Sequence, residues 1–284
     1  MADVPGGPTF PPPPPPPGTP PGPGSIRPRG LGEILSAAFD VYKSNAANLV
    51  LIVAVVVVPL SFISALSIHL VGTPDEHTVQ VLGQPHTIVS SRSFAAAVAV
   101  AIIAAAIGVI ISAVLQAAIL RGAAEATIGD PVDVEASYRW GFRHFGSVLL
   151  LAVLVGLTVV VGLVLLVIPG LIFLVFFSVS VPALVVENRR GTKAMGRSWN
   201  LVSGHFWHAV AVILVAAILA GIVGGIIGAL GGSSWVLRWI FGAIAQIITS
   251  PFTALVSVLL YLDLRARKEA LTADVLRAEL ASST

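Results

Sequence analysis

The stretch Ser147–Val186, SVLLLAVLVGLTVVVGLVLLVIPGLIFLVFFSVSVPALVV, runs for 40 residues without a charged side chain. As one helix it would be about 60 Å long at 1.5 Å per residue, twice the ~30 Å of hydrocarbon in a bilayer. Ile168-Pro169-Gly170 interrupts it with the residue pair that favours a tight turn. The reading is therefore two short spans, Ser147–Ile168 and Gly170–Val186. Four more apolar runs are long enough to cross: Leu49–Val71, Phe94–Leu120, Phe206–Leu230 and Val236–Leu262.

The basic residues test that division independently. With six spans and the N-terminus inside, 14 of the 16 Lys and Arg fall on the cytoplasmic side, and Arg92 and Arg238 lie outside. Reading Ser147–Val186 as one span would leave 7 inside against 9 outside. The positive-inside bias strongly prefers six, with both termini in the cytoplasm. The expected fold class is an all-α polytopic protein of the cell (inner) membrane, with three interfacial helices besides its six spans. It divides into a proline- and glycine-rich cytoplasmic segment over residues 1–30, a membrane domain over 31–271 and a short cytoplasmic tail over 272–284.

Composition agrees with this reading. Of 284 residues, 56% are apolar and only 11% charged, and the mean hydropathy is +0.95; an average globular chain is roughly a quarter charged. A net charge of +2 offers no basic face for nucleic acid. The chain has no cysteine, which excludes disulfides, thiolate nucleophiles and Cys-ligated metals.

Residues 1–30 hold 13 of the 20 prolines, seven of them consecutive from Pro11 to Pro17. Such a run supports neither a helix interior nor a sheet ladder and adopts polyproline II. It reads either as a solvated tail or as a docking peptide for an aromatic-lined groove on a protein partner. It has no positive start, and the first apolar run begins only near Leu49, so it does not read as a signal peptide.

Ahead of the first span, Leu31, Ile34, Leu35, Ala38, Phe39 and Tyr42 recur at helical spacing, with Glu33, Ser36, Asp40 and Lys43 on the other side. That pattern suits a helix lying in the bilayer interface. Similar pieces, Asp133–Phe145 and Thr192–Phe206, precede the third and fifth spans. They share a spacing: Ser137-Tyr138 then His144-Phe145, and Ser198-Trp199 then His205-Phe206, with a weaker first copy in Ala38-Phe39 then Asn45-Ala46. A threefold repeat is expected, each unit an interfacial helix followed by a transmembrane hairpin.

Lipid tails are as apolar as leucine, so spans associate through close packing and internal hydrogen bonds. Gly221, Gly224, Gly225, Gly228 and Gly232 give the fifth span overlapping GxxxG spacings. Ala97, Ala101, Ala105, Gly108 and Ser112 do the same in the second. Packing within the chain is expected; a homo-oligomer face is the alternative. Pro59, Pro182 and Pro251 should kink their spans. Outside, Thr78–Val81 and His86–Val89 flank Leu82-Gly83-Gln84-Pro85 as a small hairpin.

Ionisable residues are missing from the central part of every span, which weakens the proton-coupled pump class. Gln116, Gln246, Thr158 and several serines are the polar groups at depth, read as interhelical hydrogen-bonding residues rather than a substrate site. His205 and His208 stand one helical turn apart, but no carboxylate lies near them in sequence, so an aromatic belt explains them better than a metal. GxSxG, Walker-type, HExxH and dinucleotide motifs do not occur in the required context. No catalytic, cofactor-binding or metal residue is assigned. At the C-terminal end Asp263 precedes Arg267 by four residues, and Arg265 precedes Glu269 likewise, as helical ion pairs. Arg265, Arg267 and Lys268, with Trp199 and Tyr138, are the candidates for contact with anionic headgroups at the interface.

Three markers occur in order: Leu31-Gly32-Glu33-Ile34-Leu35 with Ala38-Phe39 and Tyr42; Pro182-Ala183-Leu184-Val185-Val186-Glu187 leading to Ser198-Trp199; and Pro251-Phe252 with Tyr261, Asp263-Leu264-Arg265 and Arg267-Lys268-Glu269. Over about Ile26 to Leu271 the chain thereby resembles the bacterial family named for the membrane domain of glycerophosphoryl diester phosphodiesterases. In some members that domain is joined to a catalytic phosphodiesterase domain with a His and carboxylate metal cluster. Only 22 residues follow Leu262 here, too few for such a domain, and no catalytic residue carries over. The resemblance implies a stand-alone, non-enzymatic membrane protein. Its expected role is a scaffold or accessory for envelope lipid or transport machinery. The alternatives are a lipid-handling, flippase-like bundle and a membrane partner of a glycerophosphodiester phosphodiesterase. The implied partners are membrane lipids and a protein reading the proline-rich segment.

Overall fold

Nine helices and one hairpin are seen in the computed structural model, which describes residues 27–71, 76–81, 84–89, 91–232, 234–269 and 271–282, with side chains for all of these but 64–107, 110, 281 and 282. The proline-rich stretch up to residue 26 lies outside the described residues. In chain order the elements are α1 (Leu31–Val71), β1 (Glu76–Val81), β2 (Gln84–Val89), α2 (Ser91–Thr127), α3 (Val134–Leu165), α4 (Val167–Phe176), α5 (Ser180–Glu187), α6 (Thr192–Val202), α7 (Phe206–Ala229), α8 (Trp235–Lys268) and α9 (Ala273–Ser282). The fold is all-α apart from the hairpin. Five segments among the described residues are long and apolar enough to cross a bilayer: Leu31–Ile63, Val134–Leu165, Val167–Glu187, Phe206–Ala229 and Trp235–Lys268. None keeps more than 50% of its most apolar window inside the chain. The remaining apolar surface faces outward, as it does where lipid is the solvent.

The uncharged stretch Ser147–Val186 does break, but three residues earlier than the sequence suggests. Leu166 is extended (φ −161°, ψ 140°), between the end of α3 and the start of α4. Pro169 then falls in the first turn of α4, where a backbone N–H has no helical partner to lose. Glycine closes the turn sterically. A Cβ on Gly170 would stand 2.4 Å from Leu163 Cγ, and one on Gly162 would stand 2.9 Å from Gly170 Cα. In α1 the helical geometry fails at Asn45 (φ −120°, ψ 16°), while Pro59 is accommodated within the helix.

Burial repeats in register through the three proposed units. Ala38, Ser137 and Ser198 are fully buried; so are Leu49, Val148 and Ala209, each 11 residues further on, and Ile52, Leu151 and Val212, each 14 further on. Asn45 and His205 occupy equivalent positions and share a conformation, His205 having φ −126° and ψ 25°. In the middle copy α3 runs helically through His144. The helices at the second-span positions of the proposed units, α2, α4–α5 and α8, converge: α2, α5 and α8 all touch one another.

Two expectations are corrected. Among the described residues the glycine face of α7 meets almost no close neighbour. Of these glycines Gly224 would bring a Cβ within 4 Å of another described group, Thr249 Cγ2 at 3.9 Å, and Gly221, Gly225, Gly228 and Gly232 would not. The reason is that α7 turns Ala209, Val212 and Ala216 inward instead. Close approach occurs at Gly141, where a Cβ would lie 3.1 Å from Val114 O of α2, and at Gly122, 2.8 Å from Ile52 Cδ1 of α1. Ala97, Ala101 and Ala105 fall among the side chains outside the described set. Second, β1 and β2 pair as far as Val81 with Gln84, so Gln84 and Pro85 belong to the strand rather than to the turn. The short tail after the membrane domain carries helix α9, whose Leu276 and Leu280 are buried against the bundle.

The glycines provide a test. Gly170→Ala should destabilise the protein by about 1–3 kcal/mol through overpacking. Gly225→Ala, with open space around it, should leave the midpoint unchanged or slightly raised through the lower helix cost of alanine. Thermal unfolding of the two purified variants in detergent checks the contrast.

Candidate functional site

In α8 the polar residues Gln246, Ser250, Thr253 and Ser257 recur at intervals of four, three and four, so they lie on one face of the helix. The stripe runs about 16 Å along the axis. Ser112 and Gln116, one turn apart, face it from α2. The third wall comes from the junction of α4 and α5, where Ser178 and Pro182 line the same space. Together they enclose a groove of about 490 Å³ between the three second spans. Ser112, Gln116, Gln246 and Thr253 are exposed, so the groove opens sideways.

The α4–α5 junction is a helix break at membrane depth. Phe177 (φ −100°, ψ 6°) and Val179 (φ −103°, ψ 14°) leave helical geometry, and Pro182 follows without an N–H to donate. Irregular backbone at that depth is tolerated where protein buries it or where it lines a polar cavity. Ser178 Oγ donates to Val175 O at 2.8 Å and Thr253 Oγ1 to Ser250 O at 2.9 Å, each satisfying its own helix. Gln116 and Gln246 do not form the interhelical hydrogen bonds expected of them: neither carboxamide has a partner among the described residues. Thr158 likewise turns to its own helix, donating to Leu154 O at 2.8 Å. Among the described residues no ionisable side chain lines the groove. Sequence reasoning named both glutamines but missed the site, although the 4-3-4 polar spacing in an apolar helix was a readable signal.

Charge is concentrated at one end of the bundle, around the last turns of α8. Asp263 is buried and holds three groups: Arg29 N donates to Oδ1 at 2.6 Å, while His208 Nε2 and Arg267 Nε lie 3.0 and 2.8 Å from Oδ2. Glu187, ending α5, accepts from Tyr261 Oη at 2.5 Å and from Arg197 Nε of α6 at 2.7 Å. Arg265 donates to both carboxylate oxygens of Glu279 in α9, at 2.6 and 3.1 Å, and pairs with Glu269 at 3.1 Å. Arg197 reaches the other oxygen of Glu269 at 2.5 Å. Arg121 adds a second tie to α9, donating to Leu280 O at 3.0 Å.

This geometry redistributes the proposed lipid contacts. Arg265 is 4% exposed and is consumed by carboxylates, so it is not a headgroup anchor. Arg267 is engaged by Asp263 and by the carbonyl of Arg29, and Lys268 donates to Asn200 O. Trp199 is half exposed and stacks on Phe176 at 4.0 Å between centroids. Tyr138 is half-buried, its hydroxyl donating to Ile52 O. Arg189, Arg190 and Lys193, on and before α6, are exposed and form a cluster the charge bias counted but did not single out, with Arg189 also paired to Glu187. His208 does have a carboxylate beside it after all, in Asp263, 55 residues away in sequence. Among the described residues no three metal-ligating side chains gather.

Burial pushes the Glu269 carboxyl up, but Arg197 and Arg265 outweigh it and hold it below the usual carboxylate range. Burial, aided by Arg267 and Lys268, lowers His205. Both effects have one sign. Protonation is disfavoured in the fold, so their contribution is present above the ordinary values of these groups and is lost as pH falls through the folded ones. Two outcomes follow. Removing Arg265 as R265L takes the bidentate guanidinium from Glu279 and one of the two cations from Glu269, and should cost on the order of 3 kcal/mol, the scale of breaking a buried pair. Acidification toward the carboxylate range should loosen the same contacts in the unmodified protein. Amide hydrogen exchange over α9 checks both, with faster exchange expected in each case.

Compared with family models, curated proteins and solved structures, the chain matches none, so its function has to be argued from this geometry.

Proposed function

We propose that the protein is a six-span, non-enzymatic protein of a bacterial inner membrane that handles lipid through the groove between its second spans. The observation carrying this reading is a pair of carboxamides without partners among the described residues, set among hydroxyls and open sideways, along helices that are otherwise apolar. A polar group facing hydrocarbon alone is costly. A lateral polar groove lets a lipid headgroup enter while its chains stay in the bilayer. The helix break at Phe177–Val179 supports the same reading, because discontinuous helices mark the substrate sites of many transporters.

The orientation follows from the charge bias: α2 is counted as a span with the five apolar segments, the charged end faces the cytoplasm, and both termini lie there. In that orientation α6 and the first turns of α1 and α3 lie at the inner headgroup level. Arg189, Arg190 and Lys193 there meet anionic lipid, at about 1 kcal/mol per basic residue near the surface. The resemblance to the membrane-domain family fits this placement, and association with a separate glycerophosphodiester phosphodiesterase is its partner version. The scaffold reading leans on the proline-rich segment, which lies outside the described residues; the groove favours lipid handling.

Proteoliposomes containing only this protein should exchange a short-chain fluorescent lipid between leaflets faster than protein-free vesicles. Filling the groove with Ser250→Leu and Ser257→Leu should abolish the exchange while the melting midpoint stays near that of the parent. Parent protein that leaves the exchange at the protein-free rate, under every gradient tried, would sink the reading in favour of a scaffold.

A further inference from the structure

The groove's chemistry narrows what enters it, and the inference rests on the lipid-handling reading above. Its hydrogen-bonding groups are all neutral: two carboxamides, Gln116 and Gln246, with the hydroxyls of Ser112, Ser250 and Ser257 among those around them. A carboxamide offers two donors and an acceptor with two lone pairs, and a hydroxyl one donor and two lone pairs. That set matches a ligand presenting several hydroxyls, each of which must both give and accept. It does not match a phosphate or a carboxylate. An anion in this space would meet no counter-charge among the described residues, because no basic one lines the cavity and Arg265 and Arg267 are tied to carboxylates at the charged end. An ammonium would be equally uncompensated.

Size points the same way. A space of about 490 Å³ falls within the ~300–1,000 Å³ of small-molecule sites. A helix about 10–12 Å across and ~30 Å long would need several times that, so a span from a second protein is excluded as the occupant. The α8 stripe supplies successive hydrogen-bonding rungs over about 16 Å, enough to hand a headgroup from one level of the bilayer to another. We propose that the groove binds an uncharged, hydroxyl-rich headgroup, a glycerol or sugar moiety, with Gln116 and Gln246 as its principal binding residues. The same polyol chemistry could be borne by a lipid or by a free sugar.

The full chain in detergent is offered equal amounts of monogalactosyl diacylglycerol and phosphatidylglycerol with matched acyl chains, and bound lipid is counted by native mass spectrometry. The galactolipid should be retained about tenfold over the phospholipid, 1.4 kcal/mol at 25 °C. The preference should fall to parity in Gln116→Leu/Gln246→Leu; Ser250→Ala/Ser257→Ala, a smaller change, should reduce it partway if the first variant does not fold. Free galactose that displaces the galactolipid would assign the site to a soluble polyol, and failure to displace would assign it to the lipid-borne headgroup; both keep the proposed chemistry. Equal retention of the two lipids, with both lost in the groove variants, would overturn the headgroup class and leave lipid handling standing. Retention unaffected by any groove variant would overturn both.

Discussion

Tyr261, Asp263 and Arg265 follow one another at alternate positions at the end of α8, and all three are buried. In a low-dielectric setting each must find a partner or lose several kcal/mol. The partners come from separate elements at that end: Glu187 from α5, Arg197 from α6 through Glu187 and Glu269, His208 from α7, Glu279 from α9 and the backbone of Arg29 ahead of α1. Apolar surface cannot fix the register of these helices, because lipid solvates it as well as a neighbouring helix does. The charged cluster can, since a slide of one turn, about 5.4 Å, would unpair it entirely. The bundle is fastened at one end, and the helices are free to stand apart further along.

That fastening explains how a polar groove persists between the second spans. Collapse of α2 against α8 would need either helix to shift relative to the fixed end. The first spans pack outside them, α1 against α8 and α3 against α2. Single glycines set close contact of α2 with the first spans, Gly141 with α3 and Gly122 with α1. The inner faces carry small side chains, among them Ala113, Ser178, Ser250 and Ala254, which leave volume where three larger ones would have filled it. Repetition contributes too. Three units with the same buried positions place their second spans around a common centre, and the groove lies there.

Much of this was legible in the sequence because its signals are local. Apolar runs mark the spans, and the spacing of Asp263 with Arg267 and of Arg265 with Glu269 marks two ion pairs that form at 2.8 and 3.1 Å. The motif shared by Ser137-Tyr138 and Ser198-Trp199 marks equivalent buried serines. What stayed hidden is long-range. Nothing near Glu187 in sequence announces Tyr261, and Arg265 reads as a headgroup cation until Glu279 folds back onto it. The glycines of α7 misled because GxxxG states that close packing is allowed, not that a helix is there to use it. The turn was misplaced at Ile168-Pro169-Gly170 because proline is as acceptable in the first turn of the next helix as in the loop before it.

The separation of charged from neutral polar groups has a consequence of its own. Had Arg265 or Asp263 lined the groove, an anionic or cationic headgroup would find compensation there and the cavity would hold it tightly. Instead the buried charges Asp263 and Arg265 are spent on other protein charges and on a backbone group, and the groove has only weak, reversible bonds to offer. Hydrogen bonds between side chains in a membrane are worth about 0.6 kcal/mol on average. A headgroup making three or four of them is held by about 2 kcal/mol, enough to offset part of the cost of leaving water. That is shallow enough for release at either end of the α8 stripe. A site meant to store a lipid would be built deeper; one meant to pass it along would be built like this.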